Sequence, residues 1–324
     1  MKILLISTNA IGDAYLSMAA IEPIKKKYRD VEFYLLFPEQ GKILYQDKHQ
    51  NLKFIFVKKN FFSLFKTLFS LVTIKFDRIY SFFPGVFNSI LLTLLRGKVK
   101  AGQINYNRIE RWDNKNAKLY FRGKIAKKKE IIHEKNGNFL SRVSTIIKVT
   151  DDIDEEIKKY KPVFNQENIN SINRILIHYK ASIVEKSLPL NLLYDLVDLI
   201  KKNTAFDILL VGAESDFNSE IRERLSSHSI DYLINPDLQE LIEAIRTSFF
   251  IGVDSFPIHI ADAYNTNFLT LCSMTKSRSV LINCEKSIDF NADSFEEINP
   301  TDFVEQLCNH LIKMDIIKLM VSQN

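Results

Sequence analysis

Glycine is scarce in this chain, with nine among 324 residues. Glycine-rich phosphate loops therefore have few places to sit, and each glycine beside a candidate site carries weight. Cysteine is sparser still. Cys272, Cys284 and Cys308 have neither the paired spacing of a metal site nor the even count of a disulfide framework, which fits a reducing compartment. Long apolar runs are also missing. The opening run KILLIS soon meets Asp13, so no signal peptide is expected. The most lipid-like stretch is Phe61–Phe76, FFSLFKTLFSLVTIKF. It is interrupted by Lys66 and falls short of the ~20 residues that a spanning helix needs. The expectation is a cytoplasmic protein, at most peripheral on the inner face of the cytoplasmic membrane.

What is present suits a large buried core. Hydrophobic residues make up 46% and charged residues 26%, and 324 residues suffice for two ordinary domains. The formal charge of +5 conceals a split. Residues 1–150 carry 28 Lys and Arg against 11 Asp and Glu, whereas residues 151–324 carry 16 against 28. A solvated lysine-rich surface explains the lysines but not the change of sign halfway along. A first domain that faces something anionic explains both.

Apolar runs and helical periods alternate through each half. In the first, KILLIS is followed by a predicted helix from Ala14 to Tyr28, then the strand VEFYLLF and a helix over Gln40–Asp47. KFIFV, the amphipathic Phe61–Ile74, RIYSFF and a helix over Asn88–Leu95 come next. Residues 98–129 read as basic strand and loop, and His133–Val149 as a helix. The acidic run Asp151–Glu156 with Pro162 marks the boundary, giving domains 1–160 and 161–324. The second half restarts the alternation. RILIHY, a helix over LPLNLLYDLVDLIKK, and FDILLVG lead to a helix over Ser215–Ser226 and the strand Tyr232–Ile234. Asp237 and Glu240 form a capping-box signature opening a helix over Leu238–Ser248. FFIGVD, a helix over Ile258–Tyr264, FLTLCS and a helix over Thr301–Met320 complete the chain. Strands separated by helices imply parallel, doubly wound sheets with ligands at the carboxyl ends of the strands.

Four stretches could carry chemistry there. Asp13 follows Gly12 where the first strand's turn meets a helix. It can cap that helix or take a proton from a hydroxyl, and on local grounds the cap is favoured. The loop His178–Pro189 offers Ser182 and Lys186 to phosphates, or is an ordinary polar loop. Glu214, just past a strand, suits ribose hydroxyls, although a lone Glu there is commonly a surface residue. Asp254-Ser255-Phe256-Pro257-Ile258-His259 opens a helix with proline in its first turn, an anion-binding arrangement in which His259 is either ligand-facing or structural.

Taken together, the order and spacing of these stretches resemble glycosyltransferase family 9, the heptosyltransferases of lipopolysaccharide core assembly, over nearly the whole chain. Ile11-Gly12-Asp13 opens the resemblance. FDRIYSFFPGVFNSILLTLLRG is similar to the family's DLVIDLxGxxxSAxLxxLxG, and HYKASIVEKSLP to HPGASxxxKxWP. LLVGAES is similar to LLGGxxE, and GVDSFPIHIADAYN to GNDSGPMHLAAALG. His133 matches a family histidine that opens the last helix of the first domain. The resemblance implies an α/β protein of GT-B fold, two Rossmann-like domains facing a central cleft. Acceptor would bind to the first domain and a nucleotide sugar, with ADP-heptose as the expected donor, to the second.

Carried over residue by residue, Asp13 would be the catalytic base, and Gly12, Gly85, Asn88 and His133 would lie on the acceptor side. Ser182, Lys186, Glu214, Asp254, Ser255, Phe256 and His259 would hold the donor. Transfer would invert the anomeric carbon with no metal and no cofactor beyond the co-substrate. The acceptor expected from the basic first half is an anionic lipid-linked saccharide. The sequence departs from the pattern at Phe256 for glycine, Tyr179-Lys180 for Pro-Gly, Leu188 for an aromatic residue and Val253 for Asn. The competing readings are a family member with another donor or surface-glycan acceptor, and a non-catalytic paralogue. A nucleic-acid partner is not expected, because no recognition motif accompanies the basic half.

Overall fold

The computed structural model describes residues 1–45, 52–58, 60–83, 86–102, 139–154, 157, 173–273, 277, 281, 286–314 and 316. The chain divides into two compact units, Met1–Pro162 and Val163–Asn324.

The first unit is built on β1 (Lys2–Ile6), β2 (Glu32–Pro38), β3 (Leu52–Val57), β4 (Phe76–Ser81) and β5 (Gly97–Gly102). All pair in parallel, in the order β3-β2-β1-β4-β5. The central β1 reads as an unbroken apolar run because helices cover both faces of a parallel sheet, and Ile3 to Ile6 are all fully buried. The chain leaves β1 towards β2 and β3, then crosses back to β4. The order therefore reverses between β1 and β4, and loops diverge at their carboxyl ends.

The second unit carries β6 (Arg174–His178), β7 (Asp207–Gly212), β8 (Asp231–Ile234), β9 (Phe249–Val253), β10 (Phe268–Cys272) and β11 (Ser287–Asp289). These are also all parallel, in the order β11-β10-β9-β6-β7-β8, so the reversal falls between β6 and β9. Its core joins strand residues such as Ile175, Ile177 and Ile251 to Leu192, Leu196, Phe303 and Leu307 of the flanking helices.

Several helices differ from the sequence expectation for local reasons. The predicted 14–28 helix is two helices, Ile11–Ser17 and Ile21–Lys27, joined by a 3-10 turn at Met18–Ala20. Pro23 has no N–H to give to a preceding turn, so the second helix restarts where proline falls in its first turn. The predicted 40–47 helix is a 3-10 turn, Glu39–Gly41, followed by Lys42–Tyr45. The predicted 215–226 helix starts at Ser219, because the Asn218 side chain caps it by accepting from Ile221 N at 2.9 Å. The capping box closes reciprocally: Glu240 N donates to Asp237 Oδ1 and Asp237 N to Glu240 Oε2, both at 2.8 Å. The helix it opens is Leu238–Arg246. β11 has no sequence signature, since three residues with only Ile288 buried are too few to show a period.

Asp151 has a role that the acidic run conceals. It ends the helix Phe139–Asp151 and is buried, accepting from Tyr28 Oη at 2.9 Å and from Tyr80 Oη. Arg78 pairs with it at 2.5 Å and also donates to Tyr28 Oη at 2.7 Å. Burial, reinforced by Asp151, pushes the Tyr80 hydroxyl far above the usual phenol range and keeps it a proton donor. One carboxylate thus fastens the helix Phe139–Asp151 to β4.

Candidate active site

In the first unit, the site is built where β1 and β4 part. After β1, Ser7 N donates to Leu36 O at 3.0 Å, and the buried Thr8 donates to Asn88 Oδ1 at 2.5 Å. Asn88 stands in the first turn of the helix Val86–Leu94, and its Nδ2 donates to Phe83 O at 3.3 Å. The side chain is 1% exposed. Expected on the acceptor side, Asn88 instead spends its amide inside the protein, tying the β1 loop to the end of β4.

The loop so held leads into the helix Ile11–Ser17. The N-cap of this helix is Ala10, with no side-chain cap, and Asp13 lies at the third helical position, half-buried. Asp13 therefore does not cap the helix as an N-cap residue would. As an acidic residue in the first turn it still favours the helix dipole. Gly12 is buried at the second helical position. Gly85 and His133 lie outside the described residues. Beside this loop is a cavity of about 430 Å³, lined by Thr8, Asn9, Lys58, Asn60, Phe61 and Phe87. Among the described residues, no group of three or more His, Cys, Asp or Glu is placed to hold a metal ion.

In the second unit, the corresponding reversal gathers most of the predicted donor residues. The loop from β6 folds back on itself: Leu188 N donates to Tyr179 O at 2.8 Å and Ala181 N to Ser187 Oγ at 2.9 Å. This leaves Ser182 exposed and carries Lys186, in a 3-10 turn, to Asp254 at the end of β9. The Lys186 Nζ to Asp254 Oδ2 distance is 2.6 Å, with the two side chains only 19% and 9% exposed. A substantially buried ion pair of this kind holds an ammonium and a carboxylate in fixed positions beside the helix Phe256–Ala263. Ser255 is the N-cap of that helix but makes no side-chain cap. Its hydroxyl turns instead to Val253 O and to His178 Nδ1, both at 3.1 Å. Phe256 is half-buried at the first helical position, with Pro257 beside it.

His178 is the residue that sequence reasoning left without a role; its place as the last residue of β6 is the only signal. The surrounding protein strips water from the ring and pushes its pKa from 6.5 down to about 4, with Asp216 acting in the opposite direction. A neutral ring, with the Ser255 hydrogen given to Val253 O, puts the imidazole proton on Nδ1 as donor to Ser255 Oγ. A group whose folded pKa lies below its unfolded value contributes stability above the unfolded value and loses it as pH falls. Unfolding in urea will therefore become easier as pH drops from about 6.5 towards 4. The loss will be smaller in His178→Gln. An identical pH dependence in the variant would show that the ring is not buried neutral.

His259 is buried, and burial holds its pKa below the usual imidazole value against the opposing charges of Asp254 and Asp262. It lies within the largely buried helix Phe256–Ala263, where Lys186 as well as Asp254 acts on the ring. Glu214 is largely exposed, and its carboxylate pairs with Arg222 while its N–H donates to Asn235 Oδ1 at 3.1 Å. The departures at Tyr179 and Leu188 fall in the hydrophobic core, where both side chains are fully buried and Tyr179 Oη donates to Asp216 O.

A sequence model of glycosyltransferase family 9 (heptosyltransferase) matches residues 64–281. The chain belongs to glycosyltransferase family 9. The match contains Ser182, Lys186, Glu214 and Asp254–His259, whereas Asp13 precedes it. No curated protein sequence matches this family 9 glycosyltransferase. Among solved structures, the E. coli heptosyltransferase WaaC with ADP is 13% identical with a TM-score of 0.68, covering 96% of this chain and 100% of WaaC. The E. coli ADP-heptose lps heptosyltransferase II is 16% identical with a TM-score of 0.65, covering 97% and 100%. WaaC is also known with ADP-2-deoxy-2-fluoro heptose, at 14% identity, a TM-score of 0.65 and coverage of 95% and 99%. A putative UDP-N-acetylglucosamine 2-epimerase of Listeria monocytogenes matches at 11% identity and a TM-score of 0.51, covering 97% and 89%. These likenesses are of fold, the GT-B class of two Rossmann-like units. Because an epimerase shares it, the family match and not the fold decides the enzyme class.

Proposed function

We propose that this glycosyltransferase moves a heptose from ADP-heptose to a hydroxyl of an anionic, lipid-linked core saccharide, inverting the anomeric carbon without a metal. The observation that carries the reading is the pair of sites at the two strand-order reversals. One holds a carboxylate, Asp13, that is not its helix's N-cap; the other holds Lys186 fixed against Asp254 beside an uncapped helix N-terminus.

In this reading, Asp13 takes the proton of the acceptor hydroxyl as that oxygen attacks the anomeric carbon. The bond to the diphosphate breaks with its electrons going to the leaving ADP. Lys186 and the first-turn amides of Phe256–Ala263 stabilise that charge, which is the task a divalent metal performs in other transferases. Asp254 positions Lys186, His178 positions Ser255, and Ser182 and Glu214 take the donor's sugar or ribose hydroxyls. The binding of ADP or an ADP-heptose analogue by WaaC supports the choice of donor. The acidic second half does not draw in a nucleotide by net charge, so these local groups must do so. The basic first half suits phosphates and carboxylates of the acceptor, and with it a peripheral position on the cytoplasmic face of the inner membrane. Among the described residues, no helix is long and apolar enough to cross a membrane.

A ligand bound only by the folded state raises apparent stability, by about 2.7 kcal/mol at a hundredfold excess over Kd. In a thermal-shift comparison, ADP-heptose will stabilise the protein more than UDP- or GDP-sugars, and the shift will survive EDTA. Lys186→Ala will reduce it. Stabilisation by a UDP-sugar alone, or only with Mg²⁺, would overturn this donor reading, and a full shift in Lys186→Ala would remove that residue from the phosphate site.

A further inference from the structure

The helix Phe61–Val72 is apolar on two sides. At about 100° per residue, Thr67 and Leu71 lie on one arc, and both are buried against the sheet. Phe61, Phe62, Phe65 and Phe69 share a second arc of about 100°, and they are 76%, 81%, 42% and 68% exposed. The rings of Phe61, Phe65 and Phe69 form a continuous strip, with centroids 4.7 Å apart for Phe61 and Phe65 and 6.1 Å for Phe65 and Phe69, and Phe62 borders it. Nothing in folding this unit calls for four phenylalanines on the outer side, and a contiguous apolar face marks a surface built to be covered.

Charge selects what covers it. The helix has no acidic residue, and Asp77 is the single acid between residues 51 and 100, already paired with Lys98 at 2.6 Å. Lys66 flanks the aromatic arc, and Lys58 and Lys75 are exposed at the two ends of the helix. A second copy of this chain would bring a like-charged face against it. An anionic lipid surface supplies both the apolar layer for the rings and the counter-charge for the lysines.

We infer that Phe61–Val72 is the docking element for an anionic bilayer, lying in the interface with its phenylalanine strip among the acyl chains and its lysines at the headgroups. This deepens the peripheral-membrane reading above and rests on it for the nature of the partner. The docked helix sets the cavity at its N-terminus, which Phe61 itself lines, at headgroup depth. Asn60 holds that end of the helix in place, accepting from Ser63 N at 2.8 Å.

Vesicle flotation tests it without turnover. The full chain will float with phosphatidylcholine vesicles containing phosphatidylglycerol and much less with phosphatidylcholine alone. Phe62→Ser/Phe69→Ser, which touches two rings that do not line the cavity, will partition at least about tenfold more weakly. It will still turn over a delipidated acceptor as the wild type does, so loss of docking and loss of transfer are read separately. A variant that floats like the wild type, or a wild type indifferent to anionic lipid, would overturn the inference. A wild-type dimer that the substitutions dissociate, with no vesicle binding, would make this face a contact between copies instead.

Discussion

Asp13→Ala will lower sugar transfer by about 10²–10⁴-fold, the usual contribution of a positioned general base, and leave donor affinity within a few-fold. The sequence alone could not separate this outcome from loss of a helix cap. In the structure the N-cap is Ala10 and Asp13 stands at the third helical position, so loss of an N-cap is not what the variant would report. Removing its charge costs the helix the dipole interaction, about 0.3–1 kcal/mol, but no N-cap. The expected signature is a collapse of kcat in the protein that remains folded. Asp13→Asn will show the same collapse while keeping the side-chain shape. Wild-type turnover in either variant would remove Asp13 from the base role. A large loss of stability with turnover preserved in the remaining folded protein would return it to a structural one.

Asp151→Ala carries the largest expected effect on stability. It strands Arg78, whose side chain is 17% exposed, and removes the acceptor shared by the Tyr28 and Tyr80 hydroxyls. Breaking one side of a buried pair costs about 3–5 kcal/mol, because the remaining charge stays desolvated without a partner. In urea unfolding the first unit should lose that much, and its melting temperature should drop on the order of 10 °C. Replacing Arg78 and Asp151 together by Met and Leu should recover the part of the loss that comes from the stranded charge, but not the part from the Tyr28 and Tyr80 hydroxyls. A single-variant change below about 1 kcal/mol would mean that the cluster is not the fastening described here.

The alternation of apolar runs with helical periods was enough to read two parallel α/β units, because side-chain period is a local property. The same holds for the Asp237–Glu240 capping box, whose partners are three residues apart. The motif at Ile11-Gly12-Asp13 and those at 178–189, 212–214 and 252–259 placed the candidate chemistry at strand ends, also from local order. What period and spacing do not encode is which strand ends become neighbours. Thr8 meets Asn88, Lys186 meets Asp254, and His178 meets Ser255 across 68 to 80 residues of chain. Those pairings exist because the strand order reverses between β1 and β4 and again between β6 and β9. The same tertiary contacts buried Asn88 and His259, left Glu214 paired with Arg222 at the surface, and turned the first residue of an acidic run into an interior anchor. The sequence by itself determined which residue types stand at the ends of the strands. Only the packed sheets decided which of them face one another, because desolvation and hydrogen bonding act between neighbours in space.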